Sequence, residues 1–204
     1  NATITVTYND GANLQSATRA ITGTAIPPTP PSAPGTPTFA ITQFSQLDLT
    51  WTGSATGTGP ITYSVLRSTT SGSGYTTLVS GLGTTSFTDN GVTAGTTYYY
   101  VIQASGPGGN TNSTEANGVA LGTFSLSSAT PGDRKVQLAW TASAGATSYT
   151  VRYGTTSGTY PSVASTNATS PYSVTGLTAG TTYYFMVQAA NAAGARLHLP
   201  RLRQ

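Results

Sequence analysis

Hydrophobic and polar residues alternate in short runs along most of the chain. In Leu47-Asp48-Leu49-Thr50-Trp51, side chains two apart share one face of an extended strand, so Leu47, Leu49 and Trp51 point together. The same parity joins Tyr63 with Val65, and Tyr98 with Tyr100, Ile102 and Ala104. Further along it joins Val136, Leu138 and Trp140, then Tyr149 with Val151, then Tyr183, Phe185, Val187 and Ala189. These positions are the predicted core. Gly, Ser and Asn-Gly turns such as Asn90-Gly91 and Asn117-Gly118 separate the runs, and no helix is predicted in this part of the chain. The expected class is all-β.

The runs repeat. Leu47 to Trp51 returns as Val136 to Trp140, Tyr63-Ser64-Val65 as Tyr149-Thr150-Val151, and Thr93-Ala94-Gly95-Thr96-Thr97-Tyr98-Tyr99-Tyr100 as Thr178-Ala179-Gly180-Thr181-Thr182-Tyr183-Tyr184-Phe185. The Trp residues lie 89 apart and the Tyr residues 85 apart. That period is too long for a solenoid unit and suits two copies of a small β-sandwich.

Composition supports this and narrows the chemistry. The chain has 204 residues, of which about a fifth are Thr and only 6% are charged, with no Cys. Disulfides, thiolate zinc sites and a Cys nucleophile are excluded together, so packing alone must hold each sandwich. The net charge of +3 comes from the end of the chain, where Arg196, Arg201 and Arg203 cluster. The remaining five cations and five acids balance and are scattered, which argues against nucleic-acid binding. No apolar stretch is long enough to insert in a membrane, and a chain opening on Asn1 reads as a mature product or a fragment.

Three features together resemble the fibronectin type III family: a Trp on the second strand (Trp51, Trp140), a Tyr-x-Val on the third (Tyr63, Tyr149), and Gly-Thr-x-Tyr entering the sixth (Gly95 to Tyr98, Gly180 to Tyr183). The resemblance implies two immunoglobulin-like sandwiches, residues 38–122 and 123–204. It also implies a tyrosine corner at Tyr98 and Tyr183, in which the ring hydroxyl bonds nearby backbone. The Gly-, Thr- and Ser-rich wording is more like bacterial secreted members than animal ones.

Two stretches lie outside the repeats. Residues 1–26 carry two alternating runs, Ala2 to Tyr8 and Asn13 to Thr24, across Asn9-Asp10-Gly11-Ala12, which reads as a β-hairpin similar to the end of an immunoglobulin-like domain. Such a hairpin needs a partner surface. Residues 27–37 hold six of the twelve prolines and read as a stiff polyproline spacer of roughly 34 Å. Leu121-Gly122-Thr123 leaves little slack and favours a rigid end-to-end pair. After Gly194 the run Ala195 to Gln204 lacks the alternation of a seventh strand, so strand G of the second sandwich is expected to be missing or atypical. A missing strand here and an orphan hairpin at the other end suggest head-to-tail self-association, with Ile4 and Val6 on one face of a donor strand.

Candidate chemistry is sparse. The acids stand singly, and Asp89 and Asp133 sit in turn contexts. The one histidine, His198, and the one lysine, Lys135, have no companions for a triad, a metal site or an isopeptide crosslink, and Lys135 has solvent-facing parity. No catalytic residue, cofactor or metal is expected. Trp51, Tyr63, Tyr98, Trp140, Tyr149 and Tyr183 read as core, and Tyr75 and Tyr160 as weak surface candidates for stacking on a polysaccharide. The functional expectation is a non-catalytic structural module of a secreted or cell-surface bacterial protein, such as a fibre, stalk or adhesin. Its partners would be further copies of itself or neighbouring domains. The alternative is an accessory spacer or carbohydrate-binding region of a secreted polysaccharide-degrading enzyme.

Overall fold

The computed structural model of the protein describes residues 2–9, 11–12, 14–21 and 25–198; these hold seventeen strands and no helix. β1 (Ala2–Asn9) and β2 (Leu14–Ile21) pair antiparallel, from Ala2 opposite Ile21 to Asn9 opposite Leu14. Among the described residues they form a sheet by themselves, and the alternating Ile4, Val6 and Tyr8 are 54%, 57% and 56% exposed. The predicted run to Thr24 extends past β2 onto positions outside the described residues.

The first sandwich contains β3 (Thr38–Ala40), β4 (Leu47–Thr50), β5 (Thr62–Ser68), β6 (Thr76–Leu82), β7 (Ser86–Asp89), β8 (Thr97–Gly106), β9 (Gly109–Asn112) and β10 (Ala116–Val119). One sheet has the order β3-β4-β7, the other β10-β8-β5-β6, with β9 also on β8. Alternation decides what lies between them: Leu47, Leu49, Trp51, Tyr63, Val65, Tyr98, Tyr100, Ile102 and Ala104 are all buried.

The Pro-rich segment is not a free spacer, which corrects the 27–37 expectation. Ser32 N–H donates to Thr56 O at 2.9 Å and Gly35 N–H to Thr52 O at 2.8 Å, while Thr58 N–H donates to Thr29 O at 3.2 Å. Pro31, Pro34 and Pro37 are buried and the residues between them are not. Polyproline II repeats every third residue, so prolines three apart share one side of the segment and can all face the sandwich. The first sandwich therefore begins near Thr29 rather than at residue 38.

The second sandwich repeats the plan with β11 (Leu126–Gly132), β12 (Lys135–Trp140), β13 (Ser148–Gly154), β14 (Ser162–Ser165), β15 (Tyr172–Thr175), β16 (Tyr184–Asn191) and β17 (Gly194–His198). Its sheets run β11-β12-β15 and β14-β13-β16-β17. Of the two expectations for strand G, missing or atypical, the first is corrected, since the strand is present through His198: β17 pairs with β16 from Gly194 opposite Asn191 to His198 opposite Val187. Backbone pairing across a tight turn does not need β-forming side chains, so Ala195-Arg196-Leu197-His198 follows the ladder despite its wording. β17 also fills part of the sheet edge that strand exchange requires.

Candidate functional site: the junction and the buried polar clusters

Each conspicuous aromatic has a packing role. Trp51 stands edge-on to Tyr63 with ring centroids 5.9 Å apart, and Trp140 packs on Tyr149 at 5.6 Å. The hydroxyls of Tyr63 and Tyr149 accept the N–H groups of Ser54 at 2.9 Å and Ser143 at 2.7 Å, pinning the loops after β4 and β12. Tyr98 and Tyr183 accept from Thr93 N–H at 3.1 Å and Thr178 N–H at 3.2 Å, the corner geometry in both copies. Tyr149 and Tyr183 are half-buried, whereas Tyr63 and Tyr98 are buried.

The two surface candidates differ from expectation, since Tyr75 and Tyr160 are both half-buried rather than exposed. Tyr75 donates its hydroxyl to Glu115, which also accepts from Ser71 Oγ at 2.6 Å and Gly72 N–H at 2.7 Å. Burial and the adjoining carboxylate push the Tyr75 phenol up to about 12, and the same donors hold Glu115 below the usual carboxylate range. The ring is committed to a turn.

Asp89 is more than a turn residue. It is buried, bonds Arg67 Nη1 at 2.8 Å and Tyr100 Oη at 2.9 Å, and accepts Gly91 N–H at 2.8 Å. Arg67 also lies over the Tyr98 ring at 4.8 Å and donates to Gly91 O at 3.0 Å. The sequence carried one signal of this cluster: Arg67 has the core-facing parity of Tyr63 and Val65. The pairings Leu47 with Asp89 and Val136 with Val174 make Val174 the counterpart of Asp89. Tyr153 and Phe185 likewise replace Arg67 and Tyr100, so an apolar cluster stands in the second sandwich where the first has an ion pair.

Of the other acids, Asp48 accepts from Thr42 Oγ1 at 2.5 Å, Gln46 Nε2 at 2.8 Å and Thr88 Oγ1 at 2.8 Å, and Asp133 is exposed in the turn before Lys135, itself exposed. His198 lies on β17. No group of three or more His, Asp or Glu able to hold a metal occurs among the described residues.

The most elaborate polar geometry lies where the sandwiches meet. Ser45 N–H donates to Leu121 O at 2.8 Å, Gly95 N–H to Ala120 O at 3.0 Å, and Gly122 N–H to Ala144 O at 2.8 Å. Ser143 Oγ holds Gly122 O at 2.6 Å, and Asn191 Nδ2 spans the joint by donating to Val119 O at 2.8 Å and Gly145 O at 3.0 Å. Phe44 meets Phe124 edge-to-face at 6.1 Å with the Arg196 guanidinium over the Phe44 ring at 5.8 Å, and Leu121 is fully buried. The buried residues of both sandwiches form one continuous cluster. Asn191 was not foreseen; the only sequence signal is that the turn after strand F reads Asn-Ala-Ala-Gly here and Gly-Pro-Gly-Gly in the first copy.

Comparison with known proteins places these features. The model of the fibronectin type III domain matches residues 123–200. Chitinase A1 of Niallia circulans is 33% identical over 193 residues, 85% of this chain and 26% of that protein. Exoglucanase B of Cellulomonas fimi is 31% identical over 192 residues, 84% of this chain and 16% of that protein. A solved Fn3-like protein from Clostridium thermocellum is 38% identical and covers 43% of this chain and 90% of its own, with a TM-score of 0.38. The chain thus spans a small part of the curated relatives it matches. Residues 123–200 therefore belong to the fibronectin type III family, and with the first copy sharing their strand order, paired Trp and Tyr and corner hydroxyl, the chain folds as two tandem sandwiches of the fibronectin type III kind.

Proposed function

We propose that this pair is a non-catalytic accessory region of a secreted bacterial enzyme that degrades polysaccharide, holding other modules of that enzyme at a fixed separation. The observation that carries the reading is the extent of the two relatives' identity. It runs through both domains and the joint, in proteins named as a chitinase and an exoglucanase, and occupies 26% and 16% of them. The spacer role rests on the joint, where the Gly122 backbone bonds Ala144 and Ser143 and Asn191 bonds Val119 across the two domains. Non-catalysis rests on the acids: Asp48, Asp89 and Glu115 are each saturated by hydrogen bonds that hold loops. The fibre or adhesin reading that the sequence put first yields to this one.

Two measurements test it. Incubated with chitin and cellulose, the chain alone is expected to release no sugar; turnover abolished by Asp133→Asn would overturn non-catalysis. In the complete polypeptide, replacing the pair by a flexible linker of equal length is expected to leave hydrolysis of soluble oligosaccharides unchanged and to slow attack on insoluble polysaccharide several-fold. Equal rates on the solid substrate would overturn the spacer role.

A further inference from the structure

The far pole of the second domain carries a groove of about 370 Å³ between the β11–β12 turn and the turn before β16, floored by Val136, Leu177, Tyr183 and Phe185. Its counterpart in the first domain is filled. There the segment leaving β10 lies between the corresponding turns, with Ala120 O on Gly95 N–H at 3.0 Å, Leu121 O on Ser45 N–H at 2.8 Å, and the Ala120 and Leu121 side chains fully buried. The receiving turns share one backbone shape: Ser45 and its counterpart Arg134 are left-handed at φ 56° and 50°, and Gly95 and its counterpart Gly180 at 81° and 75°. Among the described residues, the N–H groups of Arg134 and Gly180 have no hydrogen-bond acceptor.

Among the described residues, no strand pairs with strand F at the same place. β10 pairs with Thr97–Tyr100 of β8, whereas β17, through its last described residue His198, pairs with Val187–Asn191 of β16. Consistent with this, β8 begins at Thr97 and β16 begins later in the repeat, at Tyr184, the counterpart of Tyr99.

We infer that this groove is a docking seat for an extended strand from an adjoining module. Two consecutive carbonyls of that strand accept from Arg134 and Gly180, and a leucine-sized side chain enters the apolar slot, as Ala120 and Leu121 do in the first domain. Such main-chain capture at a sheet edge is β-augmentation. The rim differs from the filled copy in one respect: neutral Ser45 and Gln46 become Arg134 and Lys135, so carboxylates flanking the strand are favoured. The inference does not depend on the enzyme reading, since it concerns only what the seat accepts.

The probe is the heptapeptide Ala-Asn-Gly-Val-Ala-Leu-Gly, the sequence of residues 116–122, titrated into the isotopically labelled whole chain. The Arg134 and Gly180 amide signals are expected to shift and to exchange more slowly with solvent. Aspartate in place of the peptide's leucine should weaken binding at least about tenfold. Acidic flanks should strengthen it at low salt, an advantage lost in Arg134→Ser. Equal shifts with both peptides, or no shift, would overturn the proposal. So would protection of both amides in the chain alone, which would mean that its own residues occupy the seat.

Discussion

The Arg67, Asp89 and Tyr100 cluster shows how one position in a fold is solved twice in the same chain. Truncating one member of a buried ion pair leaves the other uncompensated, so Asp89→Ala should destabilise the first domain by about 3 kcal/mol, the low end because Arg67 reaches solvent. Copying the second domain with Arg67→Tyr, Asp89→Val and Tyr100→Phe together should leave stability within about 1 kcal/mol of the original, because well-packed apolar replacements offset lost ion pairs. Thermal melts of both variants check this, and a triple variant as unstable as Asp89→Ala would refute it. Carboxylates give a second residue-scale expectation. Burial opposes ionisation of Asp48, but bonds from Thr42, Thr88 and Gln46 outweigh it, and Ser71, Tyr75 and Gly72 hold Glu115 low. A folded-state pKa below the unfolded one stabilises above the unfolded value and is lost as pH falls through the folded value. The melting temperature should therefore drop between about pH 5 and pH 2, and Glu115→Gln should flatten part of that drop. The same substitution should bring the Tyr75 phenol down from about 12 towards its ordinary value near 10 in an alkaline absorbance titration, since the adjoining carboxylate is one cause of its rise.

At the scale of elements, the Pro-rich segment illustrates tertiary contact overriding composition. A Cβ on Gly108 would lie 2.1 Å from the carbonyl carbon of Thr29, so the turn after β8 admits the segment only because it carries no side chain there. Gly108→Ala should push Thr29 and Pro30 away at about 1 to 3 kcal/mol. Faster amide exchange at Ser32 and Gly35, with the strand amides of β4 unchanged, is the expected signature. Unaltered exchange would mean that the segment is held from its other end.

For the molecule as a whole, the joint decides whether two domains behave as one rod. Asn191→Ala removes the donor to Val119 and Gly145 carbonyls from both sides of the joint and should cost about 1 to 2 kcal/mol. Residual dipolar couplings should then report a spread of inter-domain orientations in place of one, with each domain still folded. A single orientation in the variant would assign rigidity to the remaining contacts, the packing of Phe44, Leu121 and Phe124 and the bonds of Gly122 to Ser143 and Ala144.

Period-two alternation and the repeat of Trp, Tyr-x-Val and Gly-Thr-x-Tyr determined the class, the number of sandwiches and the core faces, because a strand's two sides are written directly in residue parity. Arg67 had that parity too, yet its acidic partner lies on another strand and no local pattern announced it. The docking of Pro31, Pro34 and Pro37, the Asn191 bridge and the pairing of Ala195 to His198 were likewise decided only in three dimensions. The first two bring together groups far apart in sequence and the third pairs neighbouring backbone across a turn, and in all three a backbone donor or acceptor leaves no trace in the identity of the side chain beside it.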